Sequence, residues 1–156
     1  MVYFEKDGDE FPEMIAFREN FCARHQVELQ VVNGNYKIGL EELKQQWGVE
    51  AIFMGTRSTD PFAPEVPFAR TTSGWPNLMR VCPILYFDYS TVWEFLRALG
   101  LEYCCLYDEG FTSLGPQSTT VKNAQLVDEA RGLVLPAHVL KQPQSEREGR
   151  QPTPVL

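Results

Sequence analysis

The stretch AIFMGTRSTDPFAPEVPFARTTSGWP, residues 51–76, decides how the chain is read. Ala51-Ile52-Phe53-Met54 is short and apolar, as a fully buried strand would be. Gly55 then admits a tight turn, and Thr56, Arg57, Ser58, Thr59 and Asp60 follow as an unbroken polar stretch. Pro61, Pro64, Pro67 and Pro76 exclude a long helix or a central strand. An irregular loop longer than about 12–15 residues is uncommon, and it is usually either functional or disordered. The pattern therefore predicts a strand that delivers the chain into a functional loop.

On either side, the periodicity alternates between helix and strand. Val2-Tyr3-Phe4 predicts a first strand, and the span from Phe11 to His25 predicts a helix with Pro12 in its first turn. That helix carries Phe11, Met14, Ile15, Phe17, Phe21 and Cys22 on one face. Val27 to Val32 predicts a second strand, and Asn33-Gly34-Asn35 a turn. Leu40 to Trp47 predicts a short helix closed by Gly48. Glu50 to Met54 is the third strand. Leu78 to Leu85 is the fourth, with Pro83 placing its end at an edge or a bend. Ser90 to Leu99 predicts a helix capped by Ser90 or Asp88 and stopped by Gly100. Such alternation argues for an α/β domain with a mainly parallel sheet, whose ligands sit beyond the carboxyl ends of the strands. After Gly110 the pattern becomes irregular, and from Lys141 it is a polar tail containing Pro and Gln.

The totals set bounds on function. With 156 residues, 44% apolar and 12% aromatic, the chain has room for one domain with a real core. No apolar run approaches the roughly 18 residues of a membrane helix, and the N-terminus does not read as a signal peptide. A formal charge of −7 argues against a protein that coats nucleic acid, but it leaves room for a small phosphorylated ligand held by a local cation cluster. Cys22, Cys82, Cys104 and Cys105 lack zinc-site spacing, and His25 and His138 form no metal motif. Reduced thiols in a cytoplasmic protein are the expectation.

Several segments could carry chemistry. Met54-Gly55-Thr56-Arg57 offers free amides, a hydroxyl and a fixed cation, which suits an anion cradle. An ordinary strand exit with an exposed Arg57 is the plainer alternative, and Asp60-Pro61 most often starts a turn. Trp75 is either a stacking surface in the loop or a plug over the core. Thr112 and Ser113, bracketed by Gly110 and Gly115, otherwise read as a hydroxyl-rich turn serving local amides. Arg147 and Arg150 could converge on a phosphate from one helical turn, or belong to a solvated charge run. No Ser-His-Asp set, GxGxxG or Walker lysine loop can be assembled.

Taken in order, Phe11-Pro12-Glu13, Ala51 to Arg57, Thr59-Asp60-Pro61, Gly74-Trp75-Pro76, Arg80-Val81, Pro83-Ile84-Leu85, Val92 to Arg97, Leu106-Tyr107-Asp108, Gly110 to Gly115, Leu135-Pro136-Ala137 and Glu146 to Arg150 form a set. That set resembles the eukaryotic FAD synthase family of the phosphoadenylyl-sulfate-reductase-like type over nearly the whole chain. The resemblance implies an adenine-nucleotide-hydrolase-like fold of PP-loop type and FMN adenylyltransferase activity, with FMN and ATP as substrates, FAD as product and Mg²⁺ accompanying ATP. It implies that Met54, Gly55, Thr56, Arg57, Asp60, Trp75, Arg80, Arg147 and Arg150 bind these ligands, with Asp60, Arg147 and Arg150 catalytic and no protein metal ligand. It also implies a synthase-like domain over 1–140 and an arginine-motif tail over 141–156. The sequence itself does not point to any flavoprotein client, nucleic acid or membrane.

Two departures stand out. Most members carry two arginines after MGT, where this chain has Arg57-Ser58. The family also begins with a strand, an SGGKD-type loop and a helix, and these have no counterpart here; Met1 to Phe4 corresponds to the second strand. The resemblance therefore implies an incomplete gene product with two unpaired strand edges. A non-catalytic flavin- or nucleotide-binding remnant is the alternative. A sulfonucleotide reductase relative is disfavoured because Pro152 to Leu156 contains no reactive cysteine.

Overall fold

Local chemistry moves the element boundaries while preserving the alternation. The structure is a computed structural model that describes residues 1–5 and 8–150, so Pro152 to Leu156 lie outside the described residues. These residues form two compact units. One holds Met1, 8–30 and 89–150, and the other holds Val2–Glu5 and Val31–Asp88.

The second unit carries β1 (Val2–Glu5), most of β2 (Gln30–Asn33), α2 (Tyr36–Trp47), β3 (Ala51–Phe53), β4 (Phe68–Arg70) and β5 (Met79–Val81). Helix α2 starts four residues before the predicted Leu40, because Asn35 caps it by accepting from the Lys37 amide at 2.8 Å. Gly48 closes it at φ +63°, as the sequence implies. Its Gly39 packs so tightly that an added Cβ would lie 2.5 Å from Val32 and 2.7 Å from Phe4. The predicted strand from Val27 begins only at Gln30, because Val27 is used in closing the preceding helix.

Two sheets result, ordered β1-β2 and β3-β5-β4. β3 runs parallel to β5, and β4 is antiparallel to it. The sheet is therefore mixed within an α/β fold. The long loop is also less irregular than its prolines suggest, since β4 lies inside it. Pro67 can precede β4 because β4 is an edge strand, and its outer side needs no ladder partner. β5 is much shorter than the predicted 78–85 strand, because Pro83 cannot extend it and the chain turns through Leu85 N–H to Cys82 O. The register aligns Phe53, Val81 and Phe68 across the three strands, with Phe53 81% and Phe68 67% exposed.

In the first unit, α1 (Pro12–His25) ends at Gln26 in a left-handed conformation, where the Val27 amide bonds Cys22 O. Helix α3 (Tyr89–Ala98) presents Tyr89 and Trp93 to a cluster with Leu126, Ala137 and Leu140. Trp93 meets Tyr103 and Tyr107 edge-on at 5.0 and 5.5 Å, pairs worth roughly 0.5–1.5 kcal/mol each beyond area burial. A second cluster joins Phe11 to Cys104, Leu106 and Phe111. The remainder is built from 3₁₀ turns and a hairpin of β6 (Val127–Asp128) with β7 (Leu133–Val134). Among the described residues, no helix is long and apolar enough to cross a membrane.

Candidate functional site

Of the candidate ligand-binding residues, Met54, Gly55, Thr56, Arg57, Asp60, Trp75 and Arg80 belong to one unit, and Arg147 and Arg150 to the other. Met54 continues the β3 direction by donating its amide to Val81 O at 2.9 Å. Gly55 follows in open space, where an added Cβ would meet nothing within 4 Å. Among the described residues the Gly55 and Thr56 amides take no backbone partner, so the turn keeps donors to offer.

Arg57 is not the exposed cation of an ordinary strand exit. It is buried, its amide donates to Asp60 Oδ2 at 2.8 Å, and its guanidinium lies 3.4 Å from Asp60 Oδ1. The Asp60 amide returns a bond to Arg57 O at 2.9 Å and so closes that turn, while the Ala63 amide donates to Asp60 O at 3.3 Å, so Asp60 also starts the next one. The loop is therefore locked from within by the pair the sequence offered as ligand contacts.

Beyond that lock the loop exposes aromatic surface. Phe62 is 96% exposed at φ +60°, a conformation that costs a non-glycine residue roughly 1–2 kcal/mol. Arg80 reaches Phe62 O and Arg70 O only at 3.5 Å, and its buried Nε has no partner among the described residues. Such a donor is open to an acceptor from a ligand. Trp75 is 45% exposed rather than a core plug. Thr71 pins the base of its loop, donating its hydroxyl to Pro76 O at 2.6 Å and accepting the Leu78 amide at 3.2 Å.

The tail, expected to be irregular and read by charge alone as solvated, is instead docked through residue 150. Thr112 donates its hydroxyl to Glu146 O at 2.7 Å, so it serves the tail rather than local amides. The Val121 amide donates to Gly149 O at 2.8 Å, and Thr120 forms an isolated bridge with Arg150. Arg147 and Arg150 share one turn, closed by the Arg150 amide on Arg147 O at 2.9 Å. Arg147 is exposed. Arg150 is partly buried: its Nη1 donates to Leu114 O and lies 3.3 Å from Ser113 Oγ. Burial and the neighbouring Arg147 charge lower the Arg150 pKa from its usual value. Asn123, fully buried under this tail, is not among the sequence candidates, because an Asn at the start of a short turn is a weak signal.

No group of three or more His, Cys, Asp or Glu able to hold a metal occurs among the described residues. Cys22, Cys82 and Cys104 are buried thiols, and Cys105 is exposed.

Residues 36–122 match the phosphoadenosine phosphosulfate reductase domain family. The chain is 39% identical over 148 residues to a probable FAD synthase of Caenorhabditis briggsae, covering 91% of this chain and 28% of that protein. It is 35% identical over 152 residues to a probable FAD synthase of Schizosaccharomyces pombe, covering 96% of this chain and 57% of the relative. It therefore spans between about a quarter and somewhat over half the length of these relatives. Its fold matches the FMN adenylyltransferase of Candida glabrata with a TM-score of 0.87 at 23% identity, over 97% of this chain and 68% of that one. The family match takes in α2, the glycine turn, the Trp75 loop and α3, and on that span the chain belongs to the phosphoadenosine phosphosulfate reductase domain family.

Proposed function

We propose that the chain provides the FMN adenylyltransferase chemistry of an FAD synthase. The observation that carries this reading is its 35% identity to the S. pombe relative over 96% of the chain, a span that takes in both the Gly55–Asp60 turn and the Arg147–Arg150 turn. In the proposed reaction, an FMN phosphate oxygen attacks the α-phosphorus of ATP. The bond to the bridging oxygen breaks, and pyrophosphate leaves with the electron pair. Such a transfer needs positioned donors and charge neutralisation more than a covalent intermediate.

The residues fit that need. Gly55 and Thr56 offer amides to a phosphate, and Arg80 has a donor to give. Arg147 adds a cation on an exposed residue of the tail. Trp75 and Phe62 offer aromatic surface suited to a flavin ring. Asp60 acts by holding the turn in shape. With no acidic cluster among the described residues to cage a cation, Mg²⁺ would be held by the phosphates, as is usual for this ion, and would spread the charge of the leaving pyrophosphate. A cytoplasmic location, suited to its buried thiols, belongs to the same proposal. Titrating FMN and FAD and following flavin fluorescence tests the ligand assignment. Saturable quenching that weakens in Arg80→Ala and Trp75→Ala is expected, and no quenching by either flavin would reject it.

A further inference from the structure

Asn123 is fully buried, and nearly all its hydrogen-bonding capacity is used. Its side-chain amide donates to Thr112 Oγ1 at 3.0 Å and to Ser145 O at 2.9 Å. Its side-chain oxygen accepts the Gln125 amide at 3.0 Å. Its backbone amide donates to Gly110 O at 2.8 Å, and its carbonyl accepts the Leu126 amide at 2.9 Å. One residue thus ties together the segment at 110–112, the 3₁₀ turn at Ala124–Leu126 and the chain entering the Arg147–Arg150 turn.

Around this junction, everything that touches the tail is built for close approach. Thr112 relays the contact one residue further, to Glu146 O at 2.7 Å. Gly149 lies against Val121, where an added Cβ would sit 2.3 Å from a backbone oxygen. Gly115 leaves room for the Arg150 guanidinium, which an added Cβ would approach to 2.3 Å. Gln125 Nε2 donates to Glu148 Oε2 at 3.0 Å. The tail supplies the backbone carbonyls of Ser145, Glu146 and Gly149 to these contacts, and the Glu148 carboxylate to one more.

We propose that Asn123 is the positioning residue for the Arg147–Arg150 turn. It fixes the backbone from which these arginines are presented to the phosphates of a flavin or adenine nucleotide, without touching the ligand itself. Burying an amide with two good acceptors holds a turn whose own sequence, Glu146-Arg147-Glu148-Gly149-Arg150, has little reason to be ordered. The ligand-facing half of this inference rests on the function proposed above; the docking half rests on geometry alone.

Two readouts test the halves separately. Limited trypsin digestion with mass spectrometry compares cleavage after Arg147 and Arg150 with cleavage after Arg24 in the same digest. Losing a buried donor that serves two acceptors should raise the tail-to-Arg24 ratio about tenfold or more in Asn123→Ala. Thr112→Val keeps the Asn123–Ser145 bond and should give a smaller rise, which guards against a variant that merely unfolds. An unchanged ratio in both variants overturns the docking role. FAD titration by flavin fluorescence reads the second half. Asn123→Ala should weaken binding about as much as Arg147→Ala, and the double variant should lose no more than either alone. Additive losses, or unchanged FAD binding despite faster tail cleavage, overturn the positioning role. If the wild-type chain binds no flavin, the functional reading and the ligand-facing half fall together, while the digestion still decides the docking role.

Discussion

The carboxylate of Asp60 takes two donors from a single residue, the Arg57 amide at 2.8 Å and the Arg57 guanidinium at 3.4 Å. Both side chains are largely buried. This pairing within one turn helps to set the shape of the loop. Asp60→Ala should lower stability by about 2 kcal/mol, because it leaves a buried guanidinium and an amide without their acceptor. Asp60→Asn keeps an oxygen for the amide and should lose roughly half as much. Urea unfolding of the two variants checks the order, and an equal loss would contradict it.

The two glycines under the tail should respond differently to the same methyl group. At Gly149 an added Cβ meets the backbone oxygen of Val121 at 2.3 Å, and backbone cannot swing aside. Gly149→Ala should cost about 1–3 kcal/mol and loosen the tail. At Gly115 the obstacle is the end of the flexible Arg150 side chain. Gly115→Ala should cost under about 1 kcal/mol while displacing the guanidinium from Leu114 O. Thermal unfolding separates the two, and a larger loss at Gly115 would reverse the assignment.

How legible the chain was depended on how far apart the deciding residues stand. Helices α1, α2 and α3 announced themselves through Pro12, Gly48 and Gly100, each a local signal. β4 was hidden because, among the described residues, its ladder partner is β5, and Pro67 and Arg70 argue against a strand when β5 is out of view. Phosphate-cradle candidates were visible at Gly55 to Arg57, but the lock on Asp60 was not, since Asp60-Pro61 reads equally well as a simple turn. The tail misled by composition. Its charges suggest solvent, whereas its order comes from Thr112, Val121 and Asn123, which lie more than twenty residues earlier.

His138 provides a pH test of the first unit. Its Nδ1 is buried without a partner among the described residues, and its ring lies 6.0 Å from that of Trp93. Desolvation, with the Arg97 charge adding to it, lowers the His138 pKa below the ordinary histidine value near 6.5, while Asp108 pulls the other way. The folded state therefore prefers the neutral ring. The contribution is complete above the unfolded value near 6.5, is lost as pH falls from there towards the folded value, and stays flat below it. Unfolding midpoints measured between pH 7.5 and 5 should drop in the wild type and drop less in His138→Gln. Parallel profiles would show that His138 is not the group responsible.

The central claim is adenylyl transfer to FMN, and the label on the α-phosphate of ATP follows it most directly. Incubating the chain with FMN, Mg²⁺ and ATP labelled at the α-phosphorus, then separating the flavins, shows where that phosphorus goes. The account predicts labelled FAD, unlabelled pyrophosphate, and a loss of about a hundredfold in rate for Arg147→Ala. Label that never enters a flavin, or that enters it equally well in the Arg147 variant, would contradict it.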